Sequence, residues 1–215
     1  MKTGILIAFE GGENCGKTTV SKWLVQELKK RGVPTIWTKE PGGTKCPTSE
    51  KIRKILLDPK NNICPITEAL LFAASRAQHI EELIRPNLGN GINVVSDRFV
   101  LSSYVYQGIG RKIGVSNVRI INNFACQGLK PNITFLLDLD IKIGQQRTVK
   151  KKKDRIEKEI LLFHKRNRKG YLQLAREDPR IIIINAELSV EKVCREVLRQ
   201  TLRIIKKEGS ERNEL

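Results

Sequence analysis

Gly11-Gly12-Glu13-Asn14-Cys15-Gly16-Lys17-Thr18 is the stretch that decides how the rest of the chain is read. It follows an apolar run, Ile5–Phe9. It precedes a segment, Thr18–Arg31, whose Val20, Trp23, Leu24 and Leu28 recur on one helical face before a stop at Gly32. The spacing G-x-x-x-x-G-K-[ST] between a strand and a helix is the pattern of a phosphate-cradling loop. Gly11 and Gly16 allow backbone conformations that a side chain would block, so successive N–H groups can converge on phosphate oxygens. The first helical turn adds unpaired donors and the positive end of the helix dipole. Lys17 can then reach the β- and γ-phosphates, and the Thr18 hydroxyl can ligate Mg²⁺. Gly11, Gly12, Glu13, Asn14, Cys15, Gly16, Lys17 and Thr18 are therefore the expected ATP contacts. Cys15 reads either as a small filler or as a reactive thiol that bound MgATP would protect from alkylation.

Outward from this loop, continuous apolar runs predict four more strands, Thr35–Thr38, Ile92–Ser96, Ile133–Leu137 and Ile181–Ile184. Runs without polar alternation suit parallel strands buried on both faces, and their alternation with helix-length segments indicates an α/β parallel sheet. Ser189–Ile205 reads as a final amphipathic helix capped by Ser189, with Val190, Val193, Val197, Thr201 and Ile205 on its stripe. The expected organisation is one domain over residues 1–206 and a polar, fraying tail over 207–215.

The 215 residues carry 40 Lys+Arg against 23 Asp+Glu, a net charge of +17. Such a surplus attracts polyanions, yet it is spread along the chain: 19 basic and 12 acidic residues lie in 1–140, and 21 and 11 in 141–215. Aromatics are 5%, too few for a stacking platform, and no nucleic-acid motif is present, so nucleic acid is not expected as the primary partner. No apolar run approaches the ~20 residues of a membrane span. Five cysteines without C-x-x-C spacing argue against a disulfide framework or zinc site, so a reduced, cytoplasmic setting is expected.

A second anion site is written at Val94-Val95-Ser96-Asp97-Arg98, where a buried strand ends in an Asp-Arg pair. Ligands of open parallel sheets bind beyond the carboxyl ends of the strands, where the glycine loop also falls. Arg98 can hold a phosphate in bidentate fashion, and Asp97 can orient that arginine or a Mg²⁺-bound water. Two phosphates brought together repel, by about 4 kcal/mol for unit charges ~4 Å apart at an effective dielectric of ~20. Lys17, Arg53, Arg76, Arg98 and the basic 147–155 segment could supply the cations that phosphoryl transfer requires, which suits a nucleotide kinase.

With these residues in view, the chain resembles the thymidylate kinase family over nearly its whole length. The resemblance rests on Phe9-Glu10-Gly11-Gly12-Glu13, Thr38-Lys39-Glu40-Pro41-Gly42-Gly43-Thr44, Glu50-Lys51-Ile52-Arg53, Phe72-Ala73-Ala74-Ser75-Arg76, Asp97-Arg98, Tyr106-Gln107-Gly108 and Asp154-Arg155-Ile156-Glu157. It implies an αβα P-loop NTPase fold with a five-stranded parallel sheet of order 2-3-1-4-5, a lid at about 144–156 and a homodimer. It also implies phosphorylation of dTMP to dTDP by ATP with Mg²⁺, held by Thr18 and Asp97. By position, Phe72 resembles the ring that stacks on thymine and Arg76 a base and monophosphate contact. Ser103 and Gln107 resemble base-edge or sugar contacts, and Tyr106 the ring against the deoxyribose. Glu40 and Pro41 belong to the substrate loop, Arg53 and Arg98 resemble the monophosphate clamp, and Glu13 the acid that accepts the sugar hydroxyl.

The resemblance makes Arg147 and Arg155 the lid arginines that join Lys17 and Arg98 in catalysis, in the bacterial-like pattern where the lid rather than the P-loop supplies the cations. On the residues alone, Phe72 and Tyr106 are equally ordinary packing, and Arg155 could pair with Glu157 or a neighbouring helix. Lys39 stands where the family commonly has arginine, and Lys45–Ser49 is longer than usual. A broader kinase of dUMP or thymidine, and a nucleic-acid-stimulated NTPase, are the competing readings.

Overall fold

The computed structural model describes residues 3–147 and 154–211. Five parallel strands, β1 (Leu6–Glu10), β2 (Thr35–Lys39), β3 (Asn93–Asp97), β4 (Ile133–Asp138) and β5 (Ile181–Asn185), form one sheet of order β2-β3-β1-β4-β5. The inner strands β3, β1 and β4 alternate their side chains between two apolar layers, while the edge strands β2 and β5 are partly exposed. Ile7, Phe9, Phe135 and Leu137 pack under α1 (Lys17–Lys30) and α9 (Val190–Glu211), with the Phe9 and Phe135 rings 5.3 Å apart. Leu6, Ala8 and Val94 face the opposite layer with Ile80, Ile84 and Phe99, while Leu136 packs with Tyr171 and Phe163 of α8 (Leu161–Glu177). Burial on both faces explains why the strands lack polar alternation.

The expected strand boundaries shift at their carboxyl ends. Every strand runs one residue further, to Glu10, Lys39, Asp97, Asp138 and Asn185, and Phe9 pairs with Asp97 and Glu10 with Leu136 across the ladder. Apolarity marks where burial ends, whereas pairing continues into the polar residues of the rim. The last helix also extends past Lys206 to Glu211, and Glu208 accepts a bond of 3.0 Å from Asn132 Nδ2, which ties residue 208 to the start of β4; the rest of the expected tail, 212–215, lies outside the described residues. On its expected stripe Val193, Val197 and Thr201 are buried, but Val190 is exposed.

The remaining elements build the walls around the rim. They are α2 (Pro47–Leu57), α3 (Pro65–His79) with its π-helical continuation π1 (Ile80–Ile84) and α4 (Arg85–Gly89), α5 (Val100–Ser103) leading into π2 (Tyr104–Gly110), α6 (Val115–Cys126) and α7 (Ile141–Gln146). All five cysteines are free, and only Cys64, at the start of α3, is exposed.

Candidate active site

The loop between β1 and α1 is shaped by close approach. Gly11 has φ +136°, and a Cβ there would lie 2.5 Å from the Leu137 carbonyl oxygen; Gly16, with φ +95°, leads directly into α1. No side chain caps α1 and no acid occupies its first turn, so its N-terminal donors and dipole are left for a ligand. Lys17 Nζ folds back to the carbonyls of Gly12 (2.6 Å) and Gly11 (3.1 Å). Thr18 donates its hydroxyl to Asp97 Oδ2, joining the start of α1 to the end of β3. Cys15 is buried beneath the loop, 3% exposed, in the core cluster with its Sγ accepting from Lys17 Nζ at 3.5 Å.

Arg98 is a hub. Its backbone adopts φ +74°, a left-handed conformation that costs a non-glycine residue about 1–3 kcal/mol. The geometry is enforced by Glu10, whose buried carboxylate accepts the N–H groups of Phe99 (2.9 Å) and Ser102 (3.1 Å) and the hydroxyls of Ser102 and Tyr171. The turn aims the guanidinium back over β1. There it donates to Glu13 Oε1 (2.6 Å), Ser102 Oγ (3.1 Å) and the Gly11 carbonyl (3.0 Å), with the Tyr106 ring 5.2 Å away. Lys17 and Arg98, 81 positions apart in sequence, therefore share one acceptor, the carbonyl of Gly11. Burial would raise the Glu13 carboxyl, but Arg98, Lys17 and the Tyr106 hydroxyl overcome it and hold the group at about 2. Glu10 behaves oppositely: burial raises it, and Ser102, Arg98 and the Phe99 N–H offset only part of that.

Both cations open onto a cleft of about 560 Å³. At one end lie Glu13, Asn14, Gly16, Lys17 and Thr18; at the other are Glu40, Pro41, Arg53, Phe72, Ser103, Tyr106 and Gln107, with Asp97 and Arg98 between. Arg53 Nη1 donates to the Pro41 carbonyl (2.6 Å), fastening α2 to the loop after β2. Two expected ligand contacts are placed elsewhere. Arg76 does not line the cleft: its guanidinium is 2% exposed and committed to Glu40 Oε2 (2.7 Å), Ser103 Oγ (3.0 Å), Asn122 and the Phe99 carbonyl (3.2 Å), so it braces the wall from behind. Arg155 does not line the cleft either: it pairs with Glu68 on α3 (2.7 Å) and donates to the Leu56 carbonyl (2.8 Å), which answers the choice between Glu157 and a neighbouring helix in favour of the helix. Arg147 does line the cleft and donates to the Ala186 carbonyl (3.2 Å), while Lys150–Lys153 lie outside the described residues.

Tyr171 and Glu68 were not singled out from the sequence, and Glu10 and Ser102 stood in resembling motifs with no role assigned to them. Glu10 alone carried a local signal, an acid closing an apolar strand; Tyr171 lies 161 positions away and has none.

A family model described as thymidylate kinase matches residues 9–197. The chain belongs to the thymidylate kinase family. Among curated thymidylate kinases, that of Caldanaerobacter subterraneus subsp. tengcongensis is 46% identical over 197 residues, covering 91% of this chain and 94% of the other. That of Thermoanaerobacter sp. (strain X514) is 43% identical, covering 91% and 96%, and that of Symbiobacterium thermophilum 44%, covering 91% of each. The five-stranded order described above is the P-loop αβα sheet expected of a thymidylate kinase.

Proposed function

We propose that this chain carries out the reaction of its family with the donor held at the glycine loop and the acceptor in the Phe72–Gln107 end of the cleft. The reaction is ATP-dependent phosphorylation of dTMP to dTDP. The observation that carries the assignment of roles is the convergence of Lys17 and Arg98 on the Gly11 carbonyl, at 3.1 and 3.0 Å. Those two cations then flank the path of the transferring phosphoryl group, Lys17 from the donor side and Arg98 from the acceptor side. Their placement stabilises charge spread over the equatorial oxygens, which is most of what phosphoryl transfer asks of a protein. No general base is required, because a phosphate monoester with a second pKa of ~6 is already a dianion near neutral pH.

In this reading Phe72 stacks on the base, Tyr106 packs on the sugar, and Ser103 and Gln107 meet polar edges. Glu40 and Pro41 shape the pocket that Arg53 closes. Glu13, ionised well below neutral pH, accepts the sugar hydroxyl while neutralising Arg98. Arg147 adds charge on the ATP side. Thr18 and Asp97 offer adjacent hard oxygen donors, a chemistry that fits Mg²⁺. When bound, the ion offsets triphosphate charge.

Exposed Ile66 and Leu70, one turn apart on α3, and Ile120 and Phe124, one turn apart on the adjoining α6, support a homodimer through this face. Unpaired thiols support a reduced cytoplasmic setting, and no helix among the described residues is long and apolar enough to cross a membrane. The deciding experiment is an ADP-release assay with dTMP, dUMP, thymidine and duplex DNA in parallel. Turnover with dTMP at least tenfold above the others is expected; DNA-stimulated hydrolysis with no response to dTMP would overturn the reading.

A further inference from the structure

Glu68 is the most heavily engaged acid outside the phosphate rim, and the mechanism above does not use it. It sits one helical turn before Phe72 on α3, with none of its surface exposed. Three side chains from two other segments converge on it. Gln107 of π2 donates through Nε2 at 2.8 Å and Arg111 through Nη2 at 3.1 Å and Nε at 3.2 Å, and Arg155 forms an ion pair with it through Nη1 at 2.7 Å. Arg111 also donates to Glu159 at 2.5 Å. The cluster thus balances two guanidinium groups against two carboxylates.

Two consequences follow from elementary chemistry. An ionised carboxylate only accepts, so Glu68 must face the amide nitrogen of Gln107, and the amide carbonyl is the end left for a ligand. A buried charge that loses one partner is strongly penalised unless the others compensate. Gln107 and Arg155 therefore cannot move independently: any turn of the Gln107 amide is felt by the segment that Arg155 anchors. That segment, residues 154–159, contributes Asp154, Ile156 and Glu157 to the same cleft that Gln107 lines, and its Glu157 and Glu159 line an adjoining hollow with Gly11, Gly12 and Asn14 of the glycine loop.

We propose that Glu68 is a positioning residue that fixes the polarity of the Gln107 amide and couples the acceptor pocket to the 154–159 segment, so that dTMP and ATP bind cooperatively. This rests on the assignment of Gln107 to the acceptor site. Because coupling between sites is reciprocal, each ligand tightens the other by the same factor.

The test is calorimetric titration of the whole protein with dTMP, with and without a non-hydrolysable ATP analogue, and the reverse. Wild type is expected to show a five- to fiftyfold mutual tightening. Glu68→Gln, nearly isosteric but uncharged, is expected to keep each single-ligand Kd within about threefold and to lower the coupling factor to below two. In turnover, its KM for dTMP at saturating ATP should rise much more than its KM at low ATP. Arg155→Gln, which cuts the same link from a less buried position, should reproduce the loss, so a Glu68 variant that fails to fold does not end the test. Coupling that survives in a folded variant would mark Glu68 as a structural brace and overturn the proposal. Wild-type binding of both ligands without coupling sinks this proposal alone, whereas no dTMP binding by wild type sinks the acceptor assignment and this proposal with it.

Discussion

The glycine-loop end of the cleft and the Phe72–Gln107 end, proposed above as donor and acceptor sites, are built by different means. The donor end is eight consecutive residues whose work is done largely by backbone: glycines with φ of +136° and +95°, uncapped helix donors, and one lysine. The acceptor end is assembled from side chains of α2, α3, α5 and π2, several of them held from behind by another side chain, as Arg76 holds Glu40 and Ser103 and Glu68 holds Gln107. A backbone cradle depends on a few conformations, while a side-chain wall depends on many long-range bonds. Substitutions at the donor end should therefore remove chemistry without unfolding the protein, and those at the acceptor end should disturb binding and packing together.

The sharpest contrast is expected from Lys17→Ala. Its side chain bonds only loop atoms, so turnover should fall by at least ~10³-fold while Tm stays within a few degrees, as measured by the ADP assay and thermal melts. Arg98→Ala should behave differently, because removing one member of a partly buried pair strands the other. A loss of ~10²–10³-fold in kcat/KM for dTMP should come with destabilisation of about 3 kcal/mol in denaturant titrations. An Arg98→Ala protein that loses turnover but no stability would break the comparison.

The same pair predicts an acid limit. Glu13 is held at about 2 against an ordinary 4.5, so its contribution is fully present above 4.5 and is lost as pH falls through about 2. The gap corresponds to at most about 3 kcal/mol, less because a quarter of the side chain reaches solvent. Glu13→Gln should flatten the stability–pH curve between those limits; an unchanged acid transition in urea titrations counts against the Arg98 pairing.

Phe72→Ala should raise the KM for dTMP about tenfold and leave that for ATP unchanged, in line with ~1–3 kcal/mol for stacking a base on an aromatic ring. Equal shifts in both would mean that Phe72 is only packing. The smallest effect belongs to Cys15→Ala: kcat/KM should change by less than about threefold, because a small buried filler is replaced by one of similar size. Alkylation at Cys15 of the wild type should be slow whether or not MgATP is present.

The two ends also differ in how far they could be read in advance. The glycine loop, the five strands and the Asp97-Arg98 pair follow from contiguous residues and from apolar runs, so they were legible, whereas the sheet order was implied only by the family resemblance. What escaped was geometry fixed by distant partners. Arg155 looks like a phosphate ligand in a basic segment, yet Glu68, remote in sequence, claims it. Arg76 looks like a substrate contact, yet four partners behind the wall occupy its donors. The left-handed turn at Arg98 gave no sign, because the residue that enforces it, Glu10, lies on another strand. Charge type predicts that an arginine will find an anion; only the fold says whether that anion is a ligand or a neighbouring helix.

The single exposed thiol has a practical use. Cys64 bonds Thr67 Oγ1 at 3.1 Å, and bonds to Thr67 lower its pKa below the ordinary thiol value, whereas burial lifts Cys46 and Cys126 to about 11. A maleimide dye would therefore attach at one point of the wild-type chain without mutagenesis, at the head of the helix that carries both Glu68 and Phe72. Fluorescence from that position could follow ligand arrival in real time.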